Sequence, residues 1–173
     1  MYHKDTIKGI LRLSVHKNTF RGFTLVELII VIAIIGIISM VASFAWRGYV
    51  NNSNLRTAAR EMVADFNIMK RKAASVSQAG LDTTYTMVFN AAANTYTMNA
   101  TSVNGTTGGT KSLSSFGPRI KIDSLAIGGD TITFEARGTL NPTMGSIVLI
   151  NGSSKATITF NITGKTYVKF DMS

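Results

Sequence analysis

The sequence predicts an α+β protein in which a long N-terminal helix, membrane-spanning in its first half, packs on an antiparallel β-sheet head. Three observations predict it. Residues 28–46 read LIIVIAIIGIISMVASFAW without a charge. Apolar residues then recur every three or four positions at Leu55, Ala59, Met62, Phe66, Met69, Ala73 and Val76. Beyond Gly80 the pattern changes to short runs of β-branched and aromatic residues separated by Gly and Asn.

The uncharged run comes first. As a helix rising about 1.5 Å per residue it covers roughly 28 Å, close to the ~30 Å of a bilayer core. Ahead of it, residues 1–22 carry Lys4, Lys8, Arg12, Lys17 and Arg21 against Asp5, a net charge of +4. Such an excess keeps this end in the cytoplasm and exports the chain beyond the helix. The run is too long for an ordinary secretory core and continues into Trp46-Arg47-Gly48-Tyr49, so no cleavage is expected behind it.

Past Arg47 the amphipathic helix continues to residues 77–80, where Gly80 is a C-terminal stop behind Lys70, Arg71 and Lys72. Six basic residues against Glu61 and Asp65 read as the solvated back of that helix, a net +4 able to attract lipid head groups, acidic neighbours or nucleic acid. Strands are expected over residues 83–89, 95–100, 119–123, 131–135, 146–150, 156–160 and 166–170, the first two forming a hairpin. Turns are expected at Gly128-Gly129-Asp130, Asn151-Gly152 and Thr163-Gly164, and residues 101–110, all Gly, Thr, Ser, Asn and Val, are expected as a loose stretch. Several strands laid on the apolar helix face give a two-layer core.

Composition excludes much else. The 173 residues hold no cysteine, and His3 and His16 both precede the folded part. Thiolate metal sites, Cys nucleophiles, a disulfide frame and a His general base in the head therefore have no material. No phosphate-cradling, nucleophile-elbow or metalloprotease motif occurs, so no catalytic residue, metal or cofactor is assigned. Asp123 and Asp130 flank a Gly-Gly turn, but two carboxylates are too sparse for a calcium loop and read as turn chemistry. The Asn-x-Ser/Thr triplets arise from a chain rich in Asn and Thr, and no glycosylation is assigned.

One residue breaks the apolar pattern. Glu27 abuts the uncharged run, where a carboxylate costs free energy unless it is paired or kept at the helix end. Cleavage between Gly22 and Phe23 would set a new α-amine about one turn from it, an ion pair that favours register more than stability. With its neighbours, Arg21-Gly22-Phe23-Thr24-Leu25-Val26-Glu27-Leu28 closely resembles the class III signal of type IV prepilins and pseudopilins. The similarity is dense to about Gly36 and continues as a pattern to about residue 78.

This resemblance implies a type IV pilin fold and a fourfold division. Residues 1–22 are a leader, 23–46 the membrane and assembly helix, 47–79 its exported continuation and 80–173 a periplasmic head. It implies that a prepilin peptidase cuts after Gly22 and methylates Phe23, and that Thr24 and Glu27 act in subunit assembly. The implied partners are that peptidase, other pilins or pseudopilins, an inner-membrane assembly platform and membrane lipid. Two features depart from the pattern. The leader is long, so that either the chain belongs to a long-leader group or translation starts later, for example at Val15. Phe44 stands where many pilins carry a helix-breaking proline, and only Gly36 and Ser39 are left to loosen the helix there.

Within the superfamily the tail is most similar to the GspH/FimT minor type, through the Lys70-Arg71-Lys72-Ala73-Ala74 helix end, Phe134-Glu135-Ala136-Arg137-Gly138 and Gly164-Lys165-Thr166-Tyr167-Val168. Lys155, Lys165 and Lys169 with Tyr167 and Phe170 suggest a second reading, a basic and aromatic face for DNA in an uptake pilus. Lysines that discourage edge pairing are the favoured account, since residues 73–173 carry only seven basic against five acidic side chains. A third reading is a membrane-anchored domain that does not polymerise.

Overall fold

A computed structural model describes residues 22–78, 82–135 and 137–173. The leader up to Arg21, with His3, His16 and the Val15 start, and the stop at Gly80 lie outside the described residues. The chain forms two compact units, one ending at Val41 and the other spanning Ala42–Ser173.

A single helix, α1 (Leu25–Gln78), supplies both. It stays helical through Gly36, Ser39 and Phe44, consistent with a proline-free run that keeps every amide donor. In the first unit its apolar side chains are uncovered: Leu25, Val26, Leu28, Ile34, Ile37 and Val41 are all more than half exposed. One helix here is long and apolar enough to cross a membrane.

In the second unit the same helix presents one buried face of Leu55, Ala58, Ala59, Met62, Phe66, Met69 and Ala73, with Val76 only partly covered. Among the described residues, nine strands follow it, divided into two antiparallel sheets. They are β1 (Thr83–Asn90), β2 (Thr95–Ser102), β3 (Gly105–Ser112), β4 (Ile120–Ala126), β5 (Thr131–Phe134), β6 (Leu140–Asn141), β7 (Gly145–Asn151), β8 (Ser154–Phe160) and β9 (Thr166–Asp171). The first sheet runs β3-β2-β1-β5-β6 and the second β4-β7-β8-β9. The result is an α+β architecture consistent with a type IV pilin fold.

Both sheets send apolar side chains to a common core. Met87, Phe89, Tyr96, Ile132 and Phe134 come from the first, and Ile120, Ile147, Leu149, Ile158 and Phe160 from the second. Phe66 of α1 joins them, its ring 4.9 Å from that of Phe134 and 5.5 Å from that of Phe160. Asn94 ties the sheets at another point. It adopts a left-handed φ of 53° after β1, its carbonyl accepts from Leu113 N–H, and its Oδ1 accepts from Ile122 N–H of β4.

Two sequence expectations are corrected. Residues 101–110 are not a loose stretch: they complete β2, turn at Val103-Asn104 and form most of β3. Glycine-rich polar sequence has low strand propensity, but Gly108 lies so close to Met98 O and Asn99 Oδ1 that a Cβ there would clash. The ladder and the close approach it permits decide the conformation. Arg119 is not in a strand either. It occupies a turn with Pro118, closed by Ile120 N–H donating to Gly117 O at 3.1 Å, and Pro at the second position of such a turn is well suited to its fixed φ.

Candidate functional site

The signature residues stand at the start of α1. Gly22 and Phe23 precede the helix and are exposed, Phe23 by 85%. Thr24 is the residue before the first helical position, and its Oγ1 accepts from Glu27 N–H at 3.2 Å while its carbonyl accepts from Leu28 N–H. This is half of a capping box, Thr-x-x-Glu, in which a hydroxyl satisfies one of the helix's orphan donors. Glu27 adds a negative charge in the first turn, where the helix dipole favours it. Its carboxylate is exposed and, among the described residues, forms no ion pair. The geometry therefore gives Thr24 and Glu27 a local task as helix starters and leaves the acid free to meet an amine.

Of the three lysines of the DNA reading, Lys155 and Lys169 lie towards one end of the second sheet, whereas Lys165 lies at the other end, just ahead of β9. Lys155 of β8 pairs across the ladder with Asp171 and lies 3.6 Å from Asp123. Lys169 of β9 pairs with Thr157, which puts Lys155, Lys169 and Tyr167 on the outer face of the sheet by alternation. Lys165 lies 5.1 Å from the centre of the Tyr167 ring. Phe170 does not join them, because it alternates to the opposite face, where the Arg56 guanidinium sits 5.6 Å from its ring. Acids Asp123 and Asp171 thus share the outer face with the bases. Asp130 is used in the turn before β5, its Oδ1 accepting from the Thr131 hydroxyl.

Two arrangements escaped the sequence reading. Asp65 is buried, with 4% of its surface exposed, and accepts from the Tyr96 hydroxyl at 2.6 Å and from Lys111 Nζ at 2.7 Å. Lys111 also binds Glu61 at 2.7 Å. Burial, reinforced by the Asp65 carboxylate, pushes the Tyr96 hydroxyl well above the usual tyrosine value. Partial burial works against the charge of Lys111, but the bonds to Asp65 and Glu61 outweigh it and raise its pKa. The signal was present as Asp65 four residues after Glu61, but its partners lie 31 and 46 residues away.

The second arrangement centres on Lys70, expected on the solvated helix back. Its Nζ instead donates to Thr163 O at 2.5 Å. Its stem passes Gly138 and Gly164, both at positive φ, and a Cβ at Gly164 would lie 2.8 Å from Lys70 Cδ. A single cation therefore fastens the Thr163-Gly164 turn of the head to α1, its stem passing the turn at Gly138.

Glu27 lies in the first turn of a helix in which the next nineteen residues carry no charge. No curated protein and no solved structure matches the chain. Residues 17–43 match the family model described as the prokaryotic N-terminal methylation motif, which supports a type IV pilin-like precursor, anchored in a membrane, with a structural role.

Proposed function

We propose that the protein is a minor pilin or pseudopilin, cut by prepilin peptidase after Gly22, methylated at Phe23 and built into a filament through α1. The carrying observation is the methylation motif placed at the start of an uncovered apolar helix. Glu27 then pairs with the α-amine of a neighbouring Phe23 and sets the register of the subunits. The N-terminus is cytoplasmic, as the net +4 of residues 1–22 argues, and the head is periplasmic before it is carried into the filament. Within the superfamily we favour the GspH/FimT minor type, working in a secretion pseudopilus or a pilus. The DNA reading is not favoured, because Asp123 and Asp171 offset the lysines on their face.

The test is the mass of the N-terminal peptide from membranes of cells with and without the peptidase. A methylated Phe23 terminus is expected in the first and an intact leader in the second. An uncut leader in both would refute the assignment. For the assembly role, Glu27→Ala is expected to abolish filament incorporation while the chain remains membrane-integrated.

A further inference from the structure

Where the uncharged run ends, the second unit carries an open cleft of about 330 Å³ lined by Trp46, Arg47, Val50, Asn51, Pro118 and Arg119. Four of these residues belong to α1, and two come from a head turn about seventy positions later in the chain. The turn is held in place. Ile120 N–H closes it onto Gly117 O, and Gly117 is buried, with the site of its missing Cβ 3.2 Å from Asn54 Nδ2 of the helix. A side chain at 117 would meet that Asn54 amide closely.

The cleft is chemically one-sided. Arg47 and Arg119 are both exposed, and among the described residues neither has an acidic partner. Trp46 and Tyr49, 67% and 69% exposed, approach each other with ring centroids 6.1 Å apart. Indole and phenol side chains concentrate where acyl chains give way to headgroups, and guanidinium groups bind phosphate through paired N–H donors. Arg47 directly follows the last residue of the uncharged run, so in a spanning helix this cleft lies at headgroup depth.

We propose that the cleft is a binding site for the phosphate of an anionic phospholipid, with Arg47 and Arg119 as the two arms and Trp46 as the interfacial wall. The proposal rests on the membrane-subunit reading above. It assigns Arg119, a residue of the head, to hold the head against the bilayer surface before assembly.

Trp46 is the chain's single tryptophan and reports on the site directly. The full chain in a neutral detergent is titrated with short-chain phosphatidylglycerol, short-chain phosphatidylcholine or inorganic phosphate, and its fluorescence is followed. A saturable change is expected with phosphatidylglycerol alone. In the Arg47→Gln/Arg119→Gln variant the midpoint is expected to rise on the order of tenfold or more, from roughly 1 kcal/mol per basic residue at an anionic surface. Lys155→Gln/Lys169→Gln, which removes the same charge elsewhere, is expected to titrate like the parent. If the double arginine variant fails to fold, Arg119→Gln alone, on an exposed turn, reads the same shift. An equal response to phosphatidylcholine, a response to free phosphate, or unaltered binding in the arginine variants would overturn the proposal. Carbonate washing of membranes separates the two readings: a chain that washes off refutes the membrane subunit, whereas an integral chain indifferent to phosphatidylglycerol refutes only the site.

Discussion

Asp65 shows at the residue scale how a charge survives in a core. One oxygen takes the Tyr96 hydroxyl and both lie within reach of Lys111 Nζ, so the carboxylate is buried but satisfied. Removing the phenolic hydroxyl with Tyr96→Phe is expected to cost about 1–3 kcal/mol, measured by urea unfolding of the Ala42–Ser173 unit. The same group makes stability fall in alkali. Folded Tyr96 keeps its proton above its ordinary value, while the unfolded chain releases it near pH 10. Stability is thus full below about pH 10 and declines above it by ~1.4 kcal/mol per pH unit. Lys111, whose pKa is also raised, acts in the same direction, its contribution being lost as pH climbs through its folded value. Tyr96→Phe should therefore show a shallower loss between about pH 10 and pH 11, and a slope equal to the parent's would contradict this account.

At the scale of the element, an aromatic residue and a cation are among the contacts that hold α1 to the sheets. Phe66 meets Phe134 of the first sheet and Phe160 of the second, so Phe66→Ala leaves a cavity that both sheets border. A loss of about 3–5 kcal/mol is expected, read as a lower urea midpoint with an unchanged slope. Lys70 binds the turn before β9 at Thr163 O, and Gly164 has φ of 68°, where a side chain would require the end of that lysine to shift. Gly164→Ala combines backbone strain with displacement of Lys70 and is expected to cost more than the roughly 1 kcal/mol of an open glycine site. At the helix start, Thr24→Ala removes the Oγ1 that accepts from Glu27 N–H. About 1 kcal/mol of first-turn stability should go with it, seen as faster amide exchange at Glu27.

For the whole molecule the decisive contrast is between a first unit whose apolar side chains are uncovered and a second whose core is closed by two sheets. Uncovered apolar surface on this scale needs lipid or other helices, which is what a subunit that moves from bilayer to filament would offer it. Residues 42–173 carry thirteen basic against seven acidic side chains. Electrostatic attraction of that unit to anionic surfaces should accordingly weaken with salt, falling off once the Debye length drops to about 8 Å. Vesicle co-sedimentation of the full chain across a salt series would report it.

The membrane helix, the processing signature and the amphipathic continuation were legible in the sequence because each is a local property. Hydropathy, helical period and the Gly-Phe-Thr-Leu-x-Glu order are written in neighbouring residues. So were most strands and the Gly152 and Gly164 turns, whose positive φ only glycine adopts without strain. The division of nine strands into two sheets was not legible, since pairing such as Met87 with Ile132 depends on residues 45 positions apart. Nor was β3, whose weak propensity is overruled by the ladder with β2. The Asp65, Lys70 and Arg119 arrangements belong to the same class. Their sequence neighbours suggest solvated charge, and only tertiary packing, by bringing distant partners and side-chain-free glycines to them, decides what each charge meets.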